Sequence, residues 1–106
     1  MELNILGAKY EYKTSTAKED PALRDGDGYC DQCAKIICVE SDHDENDPLA
    51  TKNMPEYDMS VKRHEIIHAF LYESGLPELA RNEQIVDWIA WQFPKMLEVF
   101  KEVDAI

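Results

Sequence analysis

The chain has 106 residues, 44% of them apolar, enough for one domain with a single modest core and too few for two. Eleven Lys and Arg stand against 22 Asp and Glu, and the net charge of −11 argues against a nucleic-acid binder and against an acidic membrane surface, since both recruit cationic side chains. The expected partners are proteins or peptides, basic ones among them, although the same charge also serves solubility alone.

"MELNILGAKYEYK" has neither the basic start nor the long apolar stretch of a signal peptide, and no apolar run approaches membrane-spanning length. Three cysteines, an odd number, do not make a disulfide framework and fit a reducing compartment, so a cytoplasmic location is expected.

In chain order, "LNIL" and "KYEYK" flank Gly7 and predict a hairpin or a bulged strand pair. The polar stretch "TSTAKEDPALRDGDG", punctuated by Pro21, Gly26 and Gly28, predicts a loop with one helical turn around Leu23. "AKIICVE", rich in β-branched residues, is the best strand candidate. "SDHDENDPLATKNMPEYD" is acidic, carries two prolines and predicts an exposed segment. Its "DHDEND" lacks the glycine and the closing bidentate glutamate of a calcium loop, and reads as solvated acid.

A helix is predicted from Ser60, as N-cap, to Ser74, with Gly75-Leu76-Pro77 as its stop. Ile66, Ile67, Phe70 and Leu71 spread around it, which predicts a largely buried helix. A second helix starts at Glu78 or Asn82 and runs to Gln92. Ile85, Val86, Trp88, Ile89 and Phe93 form its apolar part, with Trp88 and Trp91 assigned to core and partial core. Pro94 either opens a third helix or kinks a continuous one, and "KMLEVFKEVDAI" follows amphipathically. Strands first and helices second predict an α+β fold.

The chemistry concentrates in "RHEIIHAF". His64 and His68 are four residues apart, one turn apart on one helix face, where both imidazoles reach one metal ion. Glu65 follows the first of them, and His-Glu-x-x-His on a helix is the signature of a zinc peptidase with the glutamate as general base. A catalytic zinc takes three protein ligands and keeps a fourth position open. Glu83 in "NEQIVD", on the next predicted helix, is the candidate third ligand, and Asp87 one turn later is placed to accept a histidine ring N–H. The competing role for both acids is a solvated face, against which stand their neighbours Ile85, Val86 and Trp88.

Tyr72, one turn beyond His68, and Tyr57, just before the predicted helix, are candidate donors to the oxyanion of a tetrahedral intermediate, with plain packing as the alternative. Cys30, Cys33, Cys38 and His43 have spacings near those of a zinc knuckle. Their order differs from the knuckle and Cys38 falls in a predicted strand, so packed cysteines are the preferred reading.

The pair "HEIIH" and "NEQIVD" resembles the thermolysin-like zincins, in which a downstream Asn-Glu-x-x-x-Asp helix supplies the third ligand. "DGYCDQCAKIICVES" followed by "RHEIIHAF" looks still more like small phage and prophage zincin-like proteins, similar in pattern to the ImmA/IrrE family of metallopeptidases. That family's second helix, with a Phe-Ala step and a proline, is similar to "NEQIVDWIAWQFP", where Ile89-Ala90 and Pro94 take the corresponding places. The resemblance covers the chain from Gly28 to Pro94.

It implies a single minimal zincin-like domain over residues 1–106, a small N-terminal antiparallel or mixed sheet packed on an active-site helix, with C-terminal helices after it. Zn²⁺ would be held by His64, His68 and Glu83, with Glu65 as base and Asp87 orienting a histidine, for hydrolysis of a peptide bond in a bacterial or phage regulatory protein. Such a sheet commonly receives substrate at an edge strand, and "AKIICVE" is the candidate for that edge. A second hypothesis keeps the metal but drops the cleavage, leaving a zinc-stabilised protein-binding module. Glu65 separates the two, because a binding module needs no base beside the metal.

Overall fold

The computed structural model describes residues 1–24, 26–41 and 54–106; His43 and the "DHDEND" stretch lie outside the described residues. β1 (Glu2–Ile5) and β2 (Ala8–Ser15) pair antiparallel with Ile5 opposite Ala8, which leaves Leu6 and Gly7 as a two-residue turn. Both turn residues have positive φ, 52° and 92°, as a type I′ turn requires to match the twist of its strands. Asn4 Oδ1 accepts the Gly7 N–H at 2.7 Å and closes the turn.

β3 (Gly28–Asp31) and β4 (Ile36–Glu40) complete a mixed sheet in the order β1-β2-β4-β3, with β4 parallel to β2 and antiparallel to β3. The predicted α+β order is therefore what forms. "AKIICVE" is a strand, but its assignment to the edge is wrong, because β4 lies between β2 and β3. The segment after β2 carries the chain to the far edge first, and the β3–β4 hairpin then folds β4 back into the gap. That segment holds a 3₁₀ turn at Pro21–Leu23, capped by Asp20 and anchored by the buried Leu23. Tyr29 donates to the Asp20 carboxylate at 2.6 Å from the strand beneath.

Alternation along these strands scatters the cysteines. Cys38 stands opposite Tyr29 and Cys30 opposite Ile37, so the two thiols point to opposite faces of the sheet. Cys33 is exposed in the turn that follows β3, where Asp31 Oδ1 accepts the N–H groups of Cys33 and Ala34. The knuckle pattern is not assembled among the described residues.

α1 (Met54–Glu73) lays Ala69 on the sheet face that carries Ile5, Tyr10 and Ile37. Tyr10 is fully buried, donates to Glu73 Oε1 at 2.7 Å, and shares that carboxylate with Lys35, which ties the end of α1 to the sheet. The helix starts at Met54, so Ser60 is not its N-cap. Ser60 lies inside, buried, with its hydroxyl donating to the Tyr57 carbonyl at 2.6 Å. A serine that bonds back along the helix is satisfied mid-helix as well as at a cap, and its identity alone cannot separate the two. The stop is as predicted: Gly75 takes φ 73°, and N–H bonds from Gly75 to Tyr72 and from Leu76 to Leu71 form a Schellman motif. The helix is only partly covered, with Phe70 41% exposed. Three of its four buried residues, Ser60, Glu65 and His68, are polar, so its covered face serves a site more than a core.

A short turn, α2 (Pro77–Ala80), leads to α3 (Glu83–Glu102), whose N-cap Asn82 accepts the Ile85 N–H. Of the alternatives at Pro94, the continuous helix forms. Proline has no N–H for the carbonyl four residues back, which here is Ala90. Arg63 of α1 fills that vacancy, donating from Nε to the Ala90 oxygen at 2.5 Å. Val86 and Ala90, four residues apart, form the buried stripe, and Trp88, two residues from either, is turned outward and 54% exposed. The core assignment of Trp88 is therefore corrected by helix phase. Among the described residues no helix is long and apolar enough to cross a membrane.

Arg63→Met is expected to cost about 1–3 kcal/mol by stranding the Ala90 carbonyl, a drop of roughly 5–20 °C in a thermal melt. Pro94→Ala should stabilise this variant more than it stabilises the wild type, because the restored N–H then has an acceptor to satisfy. Equal effects in the two backgrounds would assign the Arg63 loss to packing.

Candidate metal centre

Glu83, in the first turn of α3, meets two histidines of α1. His64 Nε2 lies 2.8 Å from Glu83 Oε2, His68 Nε2 lies 3.1 Å from Glu83 Oε1, and the two Nε2 atoms are 3.1 Å apart. A tetrahedral ion with bonds of about 2.0–2.1 Å holds its ligand atoms about 3.3 Å from one another, so the observed spacing is close to a zinc shell. Among the described residues these three are the His, Cys, Asp or Glu side chains whose ligand atoms gather within 4.8 Å.

The surroundings aim them. His64 Nδ1 is 3.2 Å from Asp87 Oδ1, so Asp87 accepts the Nδ1–H and leaves the Nε2 lone pair facing inward. The backbone of Ala80, in α2, makes the corresponding hydrogen bond to His68. Two ring nitrogens and a carboxylate converging in this way need positive charge between them, from protons or from a metal ion. Burial, opposed by the Glu83 charge, holds the His68 imidazole below its ordinary pKa, which disfavours the proton there. The residues fit a metal ion. Glu83 and Asp87 are 68% and 60% exposed in their side chains, so they lie on a solvated face and are turned onto the histidines as well.

Glu65 lies against Gly28 of β3 and is 7% exposed. Its approach depends on Gly28. A Cβ there would sit 3.1 Å from Glu65 Cγ, 3.2 Å from Glu65 Oε2 and 3.1 Å from the Cys38 carbonyl oxygen. Among the described residues no hydrogen bond holds the carboxylate. Burial pushes it up to about 7, with His64 opposing and Glu83 adding to the rise.

These side chains line an open cleft of about 610 Å³ between α1, β3 and α3. Both candidate oxyanion donors line it, in different states. Tyr57 donates to Asp27, and that bond together with burial pushes its phenol up to about 12. Tyr72 stacks beside the His68 ring with centroids 6.4 Å apart, and its hydroxyl has no acceptor among the described residues. Tyr72 is the freer donor of the two.

Gly28, Asp27, Cys30 and Trp91 also line the cleft and Ala80 steadies His68, roles that local patterns did not mark. The one available signal was "DGDGYC", where closely spaced glycines before a strand point to a tight backbone approach. Cys30 is pushed up to about 12 by burial and by the Glu65 charge, so it faces the cleft as a neutral thiol. In comparisons with known proteins the chain matches no family model, no curated protein and no solved structure.

Proposed function

We propose that this chain is a zinc-dependent peptidase of minimal zincin type, acting in the cytoplasm on a protein or peptide. The resemblance to the ImmA/IrrE family suggests a bacterial or phage regulatory protein as substrate. The observation that supports the reading best is the convergence of both His Nε2 atoms on the Glu83 carboxylate, with Asp87 behind His64. Zinc held by His64, His68 and Glu83 would supply Lewis acidity, acidifying water and polarising a carbonyl. Glu65, beside the ligands and shielded from solvent, takes the proton of the attacking water and later gives it to the leaving amine. Tyr72 donates to the developing oxyanion. β3, the sheet edge that lines the cleft, is the strand beside which an extended peptide is laid.

The test is zinc content by mass spectrometry on untagged protein. One zinc per chain is expected in the wild type and nearly none in Glu83→Ala. A wild type that carries no zinc and takes up none removes the reading.

A second reading, the zinc-stabilised binding module, draws on the outer face of α3, where Trp88 and Val99 are exposed. It predicts that Glu65→Gln leaves function intact.

A further inference from the structure

The walls of the cleft carry charge of one sign. Asp27, Glu65, Glu83 and Asp87 line it, and among the described residues no lysine or arginine does. Arg63, on the same helix as the histidines, is engaged with the Ala90 carbonyl and lies 3.6 Å from Glu56. Even with Glu65 left out of the count, a divalent ion at the histidines would leave Asp27, Glu83 and Asp87 in excess by one charge. The carboxylates are not equivalent. Glu83 and Asp87 are turned onto the imidazoles, and Asp27 accepts from Tyr57. Glu65 is more than nine-tenths buried, faces the same cleft, and has no hydrogen-bond partner among the described residues. Such a group marks a place where a ligand completes the structure.

The two sides of the metal centre also differ. Towards the start of α1 the cleft has Asp27, Tyr57, Asp87 and Trp91, which are acids and aromatic rings. Towards its end it has Cys30 as a neutral thiol and the Tyr72 ring against His68. Acids beside ring faces are what a lysine or arginine side chain needs, with its stem on the rings and its charge on the carboxylates.

We propose that the cleft selects basic peptides, receiving a lysine or arginine beside the metal centre between Asp27 and Asp87, against Tyr57 and Trp91. This rests on the peptidase reading for the site and names its substrate class. An acidic segment is repelled by the same field.

The experiment is equilibrium binding, which does not depend on cleavage. Labelled decapeptides of Ala and Gly with one central Lys, Gln or Glu are titrated into the zinc-loaded Glu65→Gln chain, so that bound peptide is not consumed. The Lys peptide should bind roughly tenfold tighter than the Gln peptide, and the Glu peptide more weakly than either. Adding salt should narrow the differences. Asp27→Asn, which keeps an acceptor for Tyr57 but removes the charge, should erase most of the preference for Lys, and Asp27→Glu should retain it.

Equal binding of the three peptides, no binding by any, or a preference for Lys unmoved by Asp27→Asn would overturn the proposal. The peptidase reading is scored separately, by zinc content and by whether the wild type cuts the same peptides. Peptides that show the preference and stay uncut would sink the peptidase and leave the cleft's selection of basic peptides standing.

Discussion

Glu65→Gln is expected to lower peptide hydrolysis by about 10²–10⁴-fold while leaving zinc content at the wild-type level. The carboxylate is adjacent in sequence to one ligand and lines the cleft from a shielded position, with Gly28 leaving just enough room for it. Glutamine keeps the volume and the hydrogen-bonding oxygen but cannot accept a proton. The fold should therefore survive, because the substitution also relieves the cost of burying a charge that no described residue hydrogen-bonds. A near-neutral pKa places the wild-type group where a base works best, and a cation at the ligands would draw it further towards the ionised form. The measurement is fragment formation from a peptide library, read by mass spectrometry for both proteins at equal zinc loading. Equal rates would end the base assignment and leave the binding module as the better account.

The second large effect is on stability. The candidate ligands join α1 to α3, and the buried residues of α3 are Val86 and Ala90, small side chains that give its contact with α1 limited apolar area. An ion that binds only the folded chain stabilises it in proportion to the logarithm of its free concentration over Kd. At a thousandfold excess over Kd this amounts to about 4 kcal/mol. For a domain of this size that corresponds to roughly 15–30 °C of melting temperature. Chelation should therefore lower the wild-type midpoint steeply. Glu83→Ala should melt near the chelated wild type and respond little to added zinc. A wild-type midpoint indifferent to both chelator and zinc would mean that the two helices are held by packing and by the Arg63–Ala90 bond alone.

Local chemistry accounts for the parts of this protein that its sequence made legible. The turn at Gly7, the stop at Gly75 and the strand at Ile36–Glu40 each follow from a conformational preference exercised within a few residues. His64 and His68 belong with them, since helical periodicity alone sets them one turn apart. Glu83 and Asp87 stand out by their spacing, and that they meet the histidines depends on how α2 returns the chain, which is already a matter of packing.

What escaped a linear reading depended on partners distant in the chain. Ser60 looked like a cap because a hydroxyl satisfies a backbone group equally well inside a helix. Trp88 looked like core because its apolar character is visible in sequence, whereas the phase of α3 is fixed by Val86 and Ala90 against α1. Nothing within "AKIICVE" tells an edge strand from an inner one, because strand order depends on where the preceding segment lands. The rescue of Pro94 by Arg63 joins residues 31 positions apart, and the fit of Glu65 against Gly28 joins two that are 37 apart. By itself the sequence determined which groups could act on a metal ion and on what local scaffold, because ligand chemistry and helix pitch are local properties. Only the tertiary structure decided which acids reach them, which strand borders the cleft and what charge lines it, because those depend on chain segments meeting in space.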